Sequence, residues 1–101
     1  MAHEPLKIFI VEDDVIFAKI MSHHLSLNPE YEVEIFADGK TLIKNLYKNP
    51  TLISLDYNLP DMTGLEVLRQ IREFNPDLPV VIVSGQQDVA TAIELLKKGA
   101  Y

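Results

Sequence analysis

Four acidic residues and one hydroxyl stand where apolar runs give way to turns. Glu12, Asp13 and Asp14 follow the run Leu6–Val11, Asp56 ends the run that begins at Leu52, and Ser84 follows Pro79–Val83. If those runs are neighbouring parallel strands, three or four carboxylates converge beyond their carboxyl ends, where open α/β sheets hold ligands. Like charges held that close raise one another's pKa values unless a positive charge lies between them. A divalent cation meets that need, and an all-oxygen donor set without His or Cys suits Mg2+ or Mn2+. A carboxylate beside such an ion can attack a phosphoryl group to give an acyl phosphate, while the ion offsets charge on the phosphoryl oxygens. The Ser84 hydroxyl falls within reach of the same group. Each residue also has a plainer reading. Asp and Asn after a strand are common turn formers, Asp14 stands where a helix N-cap belongs, and Ser84-Gly85 by itself is an ordinary turn. Only the combination at matching strand ends favours the chemistry.

The elements that must bring these residues together can be read from periodicity. Leu6–Val11 (LKIFIV) is almost continuously apolar, as suits a strand covered on both faces. Asp14 starts a helix running to about Leu27, with Phe17, Ile20, Met21 and Leu25 expected inward, and Asn28-Pro29 ends it. Tyr31–Phe36 (YEVEIF) alternates apolar and acidic residues, the pattern of an edge strand with one wet face. After a turn at Asp38-Gly39, Thr41–Lys48 is expected to be a short helix with Leu42, Ile43 and Leu46 inward. Leu52–Leu55 is the third strand, and Gly64–Phe74 a helix with Leu65, Leu68 and Ile71 inward, closed by Asn75-Pro76. Pro79–Val83 (PVVIV) is the fourth strand. Asp88–Lys98 is the fourth helix, with Val89, Ile93 and Leu96 inward and Gly99 as C-cap. Four βα units in succession imply a parallel sheet with helices on both faces.

Composition limits the alternatives. The chain has 101 residues, 48% hydrophobic and 24% charged, which fits one globular domain spanning 1–101. No cysteine is present, so disulfide scaffolds and cysteine metal sites are excluded and a cytoplasmic setting is expected. No signal peptide or membrane-length apolar run is visible. A net charge of −6 gives no attraction for nucleic acid or anionic membranes. His3 and the adjacent His23 and His24 are expected to be surface residues without a role.

IFIVEDD, LISLDYNLPDMTGLEVLRQIR and PVVIVSGQQDVATAIELLKKGAY resemble the successive signature segments of two-component response-regulator receiver domains, from about Leu6 to the last residue. That resemblance implies a flavodoxin-like (CheY-like) three-layer sandwich with sheet order 2-1-3-4(-5). It implies Asp56 as phosphoacceptor, Asp13 as a direct metal ligand, Glu12 acting on the metal through water, and Asn58 lending its backbone carbonyl. It casts Ser84 as the switch hydroxyl, Asn58 and Gln86 as residues that tune the phosphate's lifetime, and Pro60 and Gly64 as shaping the adjoining loop. The implied cofactor is Mg2+ or Mn2+. The implied partner is a sensor histidine kinase or phosphotransfer protein, and the implied role is regulatory rather than enzymatic, although receivers promote their own phosphorylation and dephosphorylation.

The resemblance also implies a fifth strand ending in a lysine, followed by a fifth helix, and this sequence stops at Tyr101 where that strand would begin. Lys97 and Lys98 belong to the preceding helix and do not stand in for that lysine. The expectation is a C-terminally incomplete receiver whose open fourth strand favours a homodimer or exchanged assembly. Two other readings compete: a phosphorylation-independent pseudo-receiver that binds partners, and a Mg2+-dependent aspartyl-phosphate phosphatase. The phosphatase reading ranks lowest, because Asp56-Tyr57-Asn58 follows the third strand and lacks a second aspartate.

Overall fold

Runs of Val, Ile, Leu and Phe bounded by Asp, Asn and Pro become strands here, and the amphipathic stretches between them become helices. A computed structural model describes residues 5–83 of the chain. Its elements are β1 (Leu6–Val11), α1 (Val15–Ser26), β2 (Tyr31–Phe36), α2 (Gly39–Lys44), a 3-10 turn at Leu46–Lys48, β3 (Leu52–Asp56), α3 (Gly64–Phe74) and β4 (Val80–Val83). The strands form one sheet in the order β2-β1-β3-β4, and every pairing is parallel. This is the expected receiver-like order. Ser84, Gln86, the expected helix over Asp88–Lys98 and its Gly99 cap lie outside the described residues.

Alternate residues of β1 feed two separate cores, as the two-residue period of a strand requires. Ile8 and Ile10 pack with Phe17, Ala18, Met21 and Leu25 of α1, joined by Leu52, Val81 and Val83. Phe9 and Val11 pack on the other face with Leu42 of α2, Leu46, and Val67 and Ile71 of α3. Phe9 meets Phe36 edge to face at 4.8 Å between ring centroids, an arrangement worth roughly 1 kcal/mol beyond its buried area. At the sheet edge, β2 carries Glu32 and Glu34, and such charges discourage pairing with another chain. Among the described residues, no helix is long and apolar enough to cross a membrane.

Three expectations about helices need correction. Ile20 is 44% exposed, while Ala18 is buried in its stead. At 3.6 residues per turn the inward stripe is centred between Phe17 and Ala18, and Ile20 lies about a third of a turn away from it. Leu65 is likewise 59% exposed, because Gly64, Val67 and Ile71 define the buried stripe of α3. The helix expected over Thr41–Lys48 starts earlier and breaks in two. Asp38 caps it by accepting the Thr41 amide at 2.7 Å, which brings Gly39 into the first turn. Asn45 then ends it: its side-chain amide takes the Thr41 carbonyl at 2.7 Å, the acceptor its own backbone N–H would otherwise use. That N–H bonds to the Leu42 carbonyl instead, at 2.9 Å, which tightens the chain into the 3-10 turn. Asn49, at φ 56°, closes that turn in the left-handed region that Asn tolerates. β3 runs one residue further than expected, to Asp56, which pairs with Val83.

Candidate functional site

Strand register builds the site. Val11 pairs with Leu55, so the next residues along the two strands, Glu12 and Asp56, come side by side at the carboxyl end of the sheet. The three consecutive acids after β1 then point to different tasks. Glu12 is buried, and its Oε2 accepts the Asp14 amide at 3.1 Å. Asp14 turns toward the helix, where its Oδ1 accepts the Phe17 amide at 3.1 Å and caps α1. Asp13 is exposed between them. Glu12, Asp13 and Asp56 each offer a carboxylate oxygen, and these oxygens lie within 4.8 Å of one another. Of the acids that the sequence places at the strand ends, the structure therefore gathers three and assigns Asp14 to capping.

The loop after β3 is held in shape by short-range bonds. Asp56 Oδ1 accepts the Asn58 amide at 3.1 Å. Asn58 and Thr63 form a single antiparallel bridge, and the Gly64 amide donates to the Tyr57 carbonyl at 2.9 Å. Thr63 caps α3 through the Glu66 amide at 3.1 Å. A Cβ on Gly64 would lie 2.8 Å from the Tyr57 Cα, a backbone atom that cannot step aside, so this position demands glycine by close approach. Pro60 is exposed on the outer part of the loop. Asp13 and the segment 57–63 line an open groove of 420 Å³. Sequence reasoning passed over one residue of this loop. Asp61 reaches across to the start of α2, where it accepts the Gly39 and Lys40 amides at 3.0 Å each. An acid among turn-forming residues carries no periodic signal that would have singled it out.

Electrostatics at the cluster are unbalanced. Burial pushes the Glu12 carboxyl up to about 8, with the neighbouring Asp56 and Asp13 adding to the rise and the Asp14 amide opposing it. Asp56 is also raised, again chiefly by burial, with the Asn58 amide pulling the other way. The contact between the two carboxyls acts on them in opposite directions, raising Glu12 and lowering Asp56. Among the described residues, no salt bridge reaches Glu12, Asp13 or Asp56. Converging carboxylates with an excess of negative charge and oxygen as the sole donor type fit a hard divalent cation such as Mg2+ or Mn2+.

Comparison with known proteins agrees with this arrangement. The family model described as the response regulator receiver domain matches residues 8–101. The regulatory protein LuxO of Vibrio cholerae is 34% identical over 92 residues, covering 90% of this chain and 20% of that protein. The chain spans about a fifth of the length of the first curated relatives that it matches. A solved signal receiver domain of a LuxO repressor protein from Vibrio parahaemolyticus is 32% identical, with a TM-score of 0.71 over 97% of this chain and 75% of that one. The Mn2+-bound form of the response regulator Rcp1 is 35% identical, with a TM-score of 0.69 over 90% of this chain and 76% of that one. With its sheet order, its strand-end acids and these matches in agreement, the chain belongs to the family of response-regulator receiver domains.

Proposed function

We propose that this chain accepts a phosphoryl group on Asp56 from the phosphohistidine of a sensor kinase or phosphotransfer protein, in a reaction that requires a divalent cation. The observation that carries the reading is the β1–β3 register, which sets Asp56 beside Glu12 and Asp13. An Asp56 carboxylate oxygen attacks phosphorus as the N–P bond to the donor imidazole breaks, and the imidazole nitrogen keeps the electron pair and takes up a proton. The Asn58 amide on Oδ1 fixes the plane of the attacking carboxylate. Asp13, Asp56 and the Asn58 carbonyl would hold Mg2+ or Mn2+, with Glu12 acting through a water. When bound, the ion supplies positive charge opposite the phosphoryl oxygens. A bound cation would offset the burial that raises the Glu12 carboxyl and would favour its ionised form.

The remaining roles follow the same reading. Ser84 bonds the phosphoryl oxygens as the switch hydroxyl, Asn58 and Gln86 tune the lifetime of the acyl phosphate, and Pro60 and Gly64 set the loop. The setting is cytoplasmic and the output is regulatory. Incubation with Mg2+ and a small phosphodonor, followed by intact mass measurement, tests the central claim. A single phosphoryl adduct is expected, lost without Mg2+ and absent from Asp56→Asn; a folded wild-type chain that takes up no adduct overturns it.

A further inference from the structure

The loop that carries Asn58 is fastened to a second element, away from the acidic cluster. Asp61 Oδ1 accepts the Gly39 amide and Oδ2 the Lys40 amide, each at 3.0 Å. These are consecutive amides in the first turn of α2, whose own cap, Asp38, is engaged with Thr41. Next to this clasp the backbone of Gly39 approaches Met62 so closely that a Cβ there would lie 2.6 Å from Met62 Sδ and 2.8 Å from Val67 Cγ2. A polar clasp and an apolar seat thus hold the same turn of α2 against the same loop. The other end of the loop is pinned by the bond from the Asn58 amide to Asp56.

We propose that Asp61 is a positioning residue for the cation site: its grip on the Gly39 and Lys40 amides sets the course of the loop and, with it, the direction of the Asn58 carbonyl. This rests on the reading of that carbonyl as a ligand. Asp61 does not itself join the cluster of Glu12, Asp13 and Asp56. Its two oxygens are occupied by α2, and the Gly39 amide foremost keeps its carboxyl below the ordinary range, so the clasp stays charged at neutral pH. A loop released from α2 spends part of its time with the carbonyl aimed elsewhere, and apparent affinity falls by the fraction that remains competent. Coupling of this kind is reciprocal. The factor by which the clasp strengthens cation binding is the factor by which the cation slows opening of the clasp.

The test compares the wild-type chain with Asp61→Ala, Asp61→Asn and, as a control, Asp13→Ala. Mg2+ affinity is measured by calorimetry, and exchange of the Gly39 and Lys40 amides is followed by NMR with and without saturating Mg2+. In the wild type, Mg2+ is expected to slow exchange at those two amides about fivefold, the lower end of the range for coupled sites. Asp61→Ala is expected to bind Mg2+ weaker by the same factor, with Asp61→Asn between the two. Unchanged Mg2+ affinity in Asp61→Ala, or wild-type exchange at Gly39 and Lys40 that ignores Mg2+, overturns the proposal while leaving the cation site in place. A wild-type chain that binds no Mg2+, or binds it no better than Asp13→Ala, overturns the cation site and this inference together. The exchange measurement needs only the wild type, so it decides the matter even if a variant fails to fold.

Discussion

Where β1 and β3 begin, polar groups find partners within the chain. The Lys7 ammonium donates to the Lys48 carbonyl at 3.2 Å, the Thr51 hydroxyl accepts the Lys7 amide at 3.2 Å, and Lys48 pairs with Glu34 at 3.1 Å. Where the same strands end, Glu12, Asp13 and Asp56 face one another without a cation from the chain among the described residues. Hydrophobic burial on both faces holds the sheet together along its length, so the fold tolerates this crowding at one end. On the function proposed above, the difference separates charge that belongs to the architecture from charge that awaits a cation brought from outside.

The strongest way to break the comparison is to titrate it. Glu12 sits at about 8 in the folded protein against an ordinary value of 4.5. The folded state therefore holds this proton more tightly than the unfolded chain does. Without divalent cations, the contribution of Glu12 to stability is fully present below the ordinary value, falls as pH rises toward 8 and levels off beyond it. The raised Asp56 acts in the same direction. The loss amounts to several kcal/mol, at roughly 1.4 kcal/mol per pH unit. Urea denaturation at a series of pH values should show this slope in the wild type, a much flatter one in Glu12→Gln, and recovery at pH 8 with saturating Mg2+. A second expectation is that Asp13→Ala weakens Mg2+ binding at least about a hundredfold, beyond the upper end of what loss of a supporting residue costs. Isothermal calorimetry in buffers of different ionisation enthalpy should also detect proton release on binding to the wild type, and a binding heat independent of buffer would sink the assignment of that proton to Glu12.

Smaller effects sharpen the contrast. Gly64→Ala forces a Cβ against the Tyr57 backbone and should cost about 1–3 kcal/mol of unfolding free energy. The smallest expected effect belongs to the other end of the sheet. Lys48→Met removes a partly exposed ion pair and should cost no more than about 1 kcal/mol, with Mg2+ affinity unchanged. A large change in Mg2+ affinity in that variant would mean that the two ends are electrostatically joined after all.

Much of this arrangement is visible in the sequence, because it depends on one-dimensional patterns. Continuous apolar runs locate β1 and β3, alternation marks β2 as an edge, and capping chemistry separates Asp14 from Glu12 and Asp13. What sequence reading misses depends on angles and long-range partners. Ile20 and Leu65 are apolar and helical, yet a shift of a third of a turn leaves each in solvent. Asn45 breaks a helix through its side chain, which period counting ignores. Asp61 gains its meaning from Gly39 and Lys40, residues that only the fold brings to it.

The joint between β1 and α1 contains no spare residue. Val11 ends the strand, Glu12 turns inward, Asp13 joins the cluster and Asp14 caps the helix. Inserting or deleting one residue here would hand each of these tasks to the wrong neighbour, and absorbing the change within β1 would flip its side chains to the opposite face. The joint should therefore accept changes of letter far more readily than changes of length, so single-residue insertions and deletions between Val11 and Val15 should be far less tolerated than the same lesions at the exposed turn around Pro29.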